Sequence, residues 1–176
     1  MQLSDKIKSV IRDIPDFPKP GIMFKDITPI FLDQVLCNEI TDAFCEPYLS
    51  KKPDAIIGIE SRGFLFGMLM ANKLGVPFVM VRKAGKLPYK TICQEYNLEY
   101  GTAKIEMHEG VLQKGWNVVI HDDLLATGGT AEAAAELVKK SGANVTSFTF
   151  VVELDFLKGT ERLLTHTNNI QCLVHY

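Results

Sequence analysis

Short apolar runs alternate along the chain with longer stretches of helical period. Ala55–Ile59, Phe78–Val81 and Val118–Ile120 are apolar and uninterrupted by charge, the last of them wholly β-branched, the pattern of strands buried on both faces of a parallel sheet. Ala143–Val152 and Ile170–Val174 add two further strands, and Thr102–Met107 alternates like a half-exposed one. Helical patterns lie around Gln34–Leu49, Gly63–Leu74 and Ala131–Lys140, with a short helix at 158–164. At the start, Leu3, Ile7, Val10 and Ile11 recur at helical spacing after Ser4, which predicts a short amphipathic helix. Two segments have no clear period. Residues 15–29 hold Pro15, Pro18, Pro20, Pro29 and Gly21, so an ordered but irregular cover is expected there. Gly85–Tyr100 is expected to be a long loop or a hairpin excursion, and long loops in compact domains are usually functional. Repeated strand and helix units imply an α/β fold: a twisted, mostly parallel sheet flanked by helices, in one domain spanning 1–176. Ligands of such sheets bind beyond the carboxyl ends of the strands.

Composition narrows the function classes. With 176 residues, 47% hydrophobic and 23% charged, the chain has enough apolar mass for one full core. A net charge of −2 provides no global basic field for nucleic acid or an anionic membrane. Its apolar stretches fall short of the ~20 residues of a membrane helix. Cys37, Cys45, Cys93 and Cys172 show no CxxC spacing, so neither a zinc site nor a disulfide framework is suggested, and reduced thiols in a cytoplasmic protein are expected.

The chemistry concentrates after the third apolar run. Val118–Ile120 lead to Asp122 and Asp123, the loop Leu124-Leu125-Ala126-Thr127-Gly128-Gly129-Thr130 and an alanine-rich helix. Small residues let backbone amides turn toward one point, and the helix adds its positive dipole end there, so Ala126, Thr127, Gly128, Gly129 and Thr130 form a candidate phosphate cradle. The lysine of a GxxxxGK[ST] phosphate loop is absent, which disfavours an ordinary ATPase or GTPase. Asp122 and Asp123 would repel a phosphate, and suit sugar hydroxyls or a hydrated divalent cation instead. Taken alone, a Gly-Gly pair and two acids are ordinary helix-entry and surface chemistry. Following a buried strand, they describe a sugar-phosphate site.

Three other segments carry charge in suggestive places. Glu60-Ser61-Arg62-Gly63 leaves the strand Ala55–Ile59 and opens a helix, giving a second anion turn. Arg82-Lys83-Ala84-Gly85-Lys86-Leu87-Pro88 places three cations in five residues after Phe78–Val81, although such a run is by itself usually a solvated face. Leu98-Glu99-Tyr100-Gly101 closes the aperiodic segment.

His-Asp-Asp-Leu-Leu-Ala-Thr-Gly-Gly-Thr-Ala, residues 121–131, closely resembles the phosphoribosyl diphosphate (PRPP) motif of the type I phosphoribosyltransferases, in the form found in their adenine-using branch. The resemblance runs from about Ile14 to Leu157 through five ordered motifs. It implies transfer of the phosphoribosyl group of PRPP to N9 of adenine, giving AMP and pyrophosphate, in a homodimer with Mg²⁺ held mainly through PRPP and with Asp122 or Asp123 as candidate protein contacts. By the same resemblance Arg62, Lys83 and Lys86 meet the diphosphate, with Lys86 a candidate contribution from the neighbouring subunit. A cis peptide is expected at Glu60-Ser61. Glu99 is the implied acid or base at N7 of adenine, beside Tyr100 in a flexible lid at about 85–101. That role requires its pKa to be raised by desolvation. Phe17–Pro29 resembles the family's hood, about 14–30, in which Ile22 and Phe24 form the adenine slot and backbone near Met23 and Lys25 reads its edge. Two positions depart from the pattern: His121 stands where an apolar residue is common, and Glu60 where Asp is. A hydrogen-bonded structural role is expected for His121. Rival readings are a phosphoribosyltransferase for another purine, though no lysine motif for a 6-oxo group is present, and a non-enzymatic PRPP or nucleotide sensor on the same fold.

Overall fold

In the computed structural model, which describes residues 1–97 and 101–176, the buried runs become neighbours in one seven-stranded sheet. The strands are β3 (Ala55–Ile59), β4 (Phe78–Lys83), β5 (Thr91–Asn97), β6 (Thr102–His108), β7 (Asn117–Leu125), β8 (Asn144–Glu153) and β9 (Ile170–His175). Their order is β5-β6-β4-β3-β7-β8-β9. The pairs from β4 through β9 are parallel, while β5 and β6 run antiparallel at one edge. The sheet is thus mostly parallel, as its unbroken apolar runs require.

Pleating sends alternate residues of β7 to opposite faces. Val118 and Ile120 join Ala131, Ala134, Leu137 and Val138 of α4 (Gly129–Lys140) in the main apolar cluster. On the other face His121 meets Phe66 of α3 (Gly63–Leu74), ring centroids 6.4 Å apart. Alanines let α4 lie close, and glycines do the same for α3: a Cβ on Gly67 would lie 2.8 Å from the Phe78 ring. A last helix, α5 (Gly159–Leu163), follows β8.

Two expectations need correcting. Thr91–Asn97 is a strand rather than part of a long loop, pairing with β6 over seven residues from Thr91↔His108 to Asn97↔Thr102, so the hairpin alternative is the one that forms. Its signal is weak because it is an edge strand with one wet face: Ile92 and Tyr96 pack on the core while Cys93 and Glu95 are exposed. Strand β7 also runs on through Leu125, which puts Asp122 and Asp123 inside the ladder instead of in the loop after it. Charge at a sheet's end hid that extension.

The chain divides into two compact units, residues 1–44 and 45–176; the sheet belongs to the second. The first holds α1 (Leu3–Val10), the strands β1 (Arg12–Ile14) and β2 (Phe24–Asp26), and most of α2 (Gln34–Cys45). Here the proline-rich segment is more regular than expected. β1 and β2 pair antiparallel, Arg12 bonds Asp26 at 2.7 Å and Lys25 bonds Asp13 at 2.7 Å. Pro15, Pro18 and Pro20 occupy the connection, where Phe17-Pro18 is cis.

Candidate active site

The site is built where β3, β4 and β7 end side by side. At the end of β3, Glu60-Ser61 is a cis peptide, as the resemblance implies, and the chain turns at once into α3. Arg62, the residue before that helix, pairs through Nε with the Asp123 carboxylate, which is 5% exposed. Asp122 Oδ1 accepts the Asp123 backbone N–H at 2.8 Å. Burial, then the charge of Asp123 beside it, hold the Asp122 carboxyl well above the usual carboxylate range. Glu60 turns the other way: its carboxylate accepts the Lys83 backbone N–H at 2.9 Å and faces Arg82 Nε at 3.2 Å. Burial alone would raise its pKa, but these bonds outweigh burial and hold it below the ordinary value.

These groups line a cavity of about 360 Å³ formed by Ile59–Arg62, Val81–Lys83, Tyr96, Ile105, Asp122–Leu124 and Thr130. A second, of about 80 Å³, is formed by Asp122, Leu124–Ala131 and Phe150. Asp122, Leu124 and Thr130 line both. The small cavity is the cradle at the start of α4. Gly128 adopts φ +80°, and a Cβ there would also lie 2.8 Å from the Gly159 carbonyl oxygen, so backbone of α5 supports the loop from behind. Arg162 of α5 adds a cation, its Nη1 3.4 Å from Glu132 of α4 and 3.2 Å from where a Gly129 Cβ would sit.

The expected residues are therefore only partly brought together. Arg62, Lys83, Asp122, Asp123 and Thr130 share the larger cavity, and Ala126–Thr130 form the smaller. Lys86 does not line either, although its backbone is fixed at the edge of the cationic turn. Glu99 and Tyr100 lie outside the described residues. Ile22, Met23, Phe24 and Lys25 belong to the first unit. There Phe24 packs edge-on against Phe17 at 5.1 Å, and Ile22 and Met23 are about half exposed. His121 is fully buried with Nδ1 2.9 Å from Thr149 Oγ1, and burial depresses its pKa to about 3. It is a neutral structural histidine. Sequence reasoning missed Tyr96, whose hydroxyl accepts a bond from Thr130 Oγ1 at 3.2 Å, because its strand lacked a clear alternation. It also missed the Glu60–Arg82 pair and Gly159, which carry no signal apart from the fold.

The acidic pair lies between two strand-to-helix turns at the carboxyl edge of a mostly parallel sheet, and the family model described as a phosphoribosyl transferase domain matches residues 34–174. An adenine phosphoribosyltransferase from Cytophaga hutchinsonii is 51% identical over 174 residues, covering 99% of this chain and 96% of its own. The crystal structure of the adenine phosphoribosyltransferase from Thermoanaerobacter pseudethanolicus superposes with a TM-score of 0.94 at 47% identity, covering 99% of this chain and 100% of that one. The Saccharomyces cerevisiae adenine phosphoribosyltransferase, crystallised with an imino-altritol bisphosphate and adenine, gives 0.88 at 44% identity and 96% coverage of both chains. The chain belongs to the adenine phosphoribosyltransferase family.

Proposed function

We propose that this chain transfers the phosphoribosyl group of PRPP to N9 of adenine, giving AMP and pyrophosphate. The observation that carries the proposal is the pair of adjoining cavities: a small cradle of backbone amides and a larger cationic one, joined at Asp122. PRPP has this form, a ribose with a phosphate at one end and a diphosphate at the other. The adenine specificity rests on the relatives.

In this reading the 5′-phosphate is held by Ala126–Thr130, where the loop amides and the start of α4 supply partial positive charge. Asp122 and Asp123 accept hydrogen bonds from the ribose hydroxyls. The negative charge of Asp123 and the carboxyl oxygens of Asp122 favour the positive ring that develops as the bond from the anomeric carbon to the diphosphate breaks. Arg62 and Lys83 meet the diphosphate, and Lys86 joins them from this subunit or its neighbour. Because only interactions stronger in the transition state raise the rate, the cations act chiefly on the charge that the leaving diphosphate gains.

The donor set suits Mg²⁺ that enters with its substrate. Asp123 is paired with Arg62, Glu60 with Arg82, and Asp122 accepts an amide, so the carboxylates do not make an all-protein cage. Mg²⁺ keeps waters and takes substrate oxygens, with one or two carboxylates at most. Asp122 or Asp123 would be those contacts, and the bound ion would supply charge neutralisation at the diphosphate.

The remaining roles rest on the resemblance: Glu99 as the proton carrier at N7 of adenine, Tyr100 beside it, residues 85–101 as the lid, and Ile22, Met23, Phe24 and Lys25 in a hood at about 14–30. A homodimer is part of the proposal. Leu65, Met68 and Leu69 are exposed at helical spacing on α3, and Met80 is exposed on β4, an apolar face of the kind partner subunits cover. A cytoplasmic location fits four free cysteines. No helix among the described residues is long and apolar enough to cross a membrane.

Radiolabelled adenine with PRPP and Mg²⁺ tests the reading, with labelled AMP the expected product. Turnover of hypoxanthine or guanine in place of adenine would transfer the assignment to another purine. Tight PRPP binding without turnover would make the chain a sensor.

A further inference from the structure

Glu106 on β6 is 4% exposed, and its carboxylate faces the backbone of the cationic turn instead of a cationic side chain. Oε1 accepts the N–H of Lys86 at 3.0 Å and of Leu87 at 2.8 Å, while Oε2 accepts Thr91 Oγ1 at 3.2 Å. Burial pushes the pKa of this group up, but the amides of Leu87, Gly85 and Lys86 and the Thr91 hydroxyl outweigh it, and the net shift is downward. The side chain is a buried carboxylate satisfied by amides. Such a group is costly to bury unless its bonds are fixed in place.

The other end of the turn is held in the same way. Glu60 accepts the Lys83 N–H, Arg82 reaches from Glu60 to the Lys86 carbonyl at 3.2 Å, and the Ala84 N–H bonds the Lys104 carbonyl at 2.9 Å. Between these anchors Gly85 takes φ +83°. The backbone from Lys83 to Leu87 is thus gripped from β6 and from the turn after β3, although it is a surface turn with two lysines.

We propose that Glu106 is a positioning residue for diphosphate binding: it fixes the Lys86–Leu87 amides so that Lys83 and Lys86 are held ready before substrate arrives. This rests on the reading that those lysines meet the diphosphate of PRPP. Ordering the turn in advance lowers the entropy lost on binding. The residue itself touches no substrate.

The test compares wild type, Glu106→Ala and Glu106→Gln by steady-state kinetics in both substrates and by amide hydrogen exchange at Lys86 and Leu87. Glu106→Ala is expected to raise the KM for PRPP about tenfold with the KM for adenine little changed. Glu106→Gln, which keeps one acceptor oxygen without the charge, is expected to raise it about threefold. Exchange at the two amides should quicken in both. If Glu106→Ala does not fold, Glu106→Gln carries the test. Faster exchange in folded Glu106→Gln with an unchanged KM for PRPP would overturn the proposal, as would an equal rise for adenine. Absence of AMP formation by the wild type would instead overturn the reading of the site on which the proposal rests.

Discussion

Gly63 and Asp122 are locked together by the absence of a side chain: a Cβ on Gly63 would lie 2.9 Å from Asp122 Oδ1 and 3.0 Å from Asp122 Cα. The first residue of α3 thereby holds the acidic strand end in place. It also fixes how near the Arg62 turn can come to Asp123. Gly63→Ala is expected to push the two turns apart, costing about 1–3 kcal/mol of stability as overpacking does. Its kcat/KM for PRPP should fall at least about tenfold. Thermal unfolding and steady-state kinetics check both, and a variant with normal kcat/KM would show that the two turns need not keep this spacing.

Asp122 supplies a prediction whose sign follows from its environment. Burial, and then Asp123, raise its pKa in the folded protein, so the folded state holds a proton that the unfolded chain releases at lower pH. The stability it contributes is full below the unfolded carboxyl pKa and is lost as pH rises toward the folded value. Asp122→Asn cannot ionise and should lose less stability than wild type as pH rises above the ordinary carboxylate range, while kcat/KM falls by about tenfold or more. Melting temperatures of the two proteins above that range, moving in parallel, would contradict the account.

How much of this was legible beforehand depends on how locally each feature is encoded. Ala55–Ile59 and Gly63–Leu74 appear in the structure at the expected boundaries because a buried run and a helical period are properties of neighbouring residues. The loop at Ala126–Thr130 and the helix that follows it are legible for the same reason. Tyr96 was not, since an edge strand wet on one face loses the apolar continuity that marks central strands. Pairings such as Arg62 with Asp123, or Glu106 with the Lys86 amide, join residues distant in sequence. They follow from strand order, which no short window contains.

Gly159 tests the support behind the cradle. A Cβ there would lie 2.3 Å from the Ala126 carbonyl oxygen and 2.8 Å from Leu125 Cδ1, so Gly159→Ala must displace the loop proposed to hold the 5′-phosphate. The expected result is a rise of about tenfold or more in the KM for PRPP with a smaller change for adenine. Titration with ribose 5-phosphate, which lacks the diphosphate, should show the same weakening. Unchanged affinity for both would mean that the cradle does not depend on its contact with α5.

His121 separates structure from catalysis at the same strand. Its ring is fully buried against Thr149, and desolvation lowers its pKa from 6.5 to about 3. The folded protein therefore keeps it neutral where the unfolded chain takes up a proton. A group of this kind contributes stability that is full above the unfolded value and is lost as pH falls below about 6.5, at up to about 1.4 kcal/mol per pH unit. His121→Leu should remove that loss, leaving a flatter stability profile between about pH 6.5 and pH 4. It should also lower stability at neutral pH by about 1–3 kcal/mol, because Thr149 loses its partner. Since the ring does not change charge in the working range, kcat should keep its pH profile in the variant. A limb near the ordinary histidine pKa that disappears from the kcat profile with His121→Leu would place this residue in the catalytic machinery.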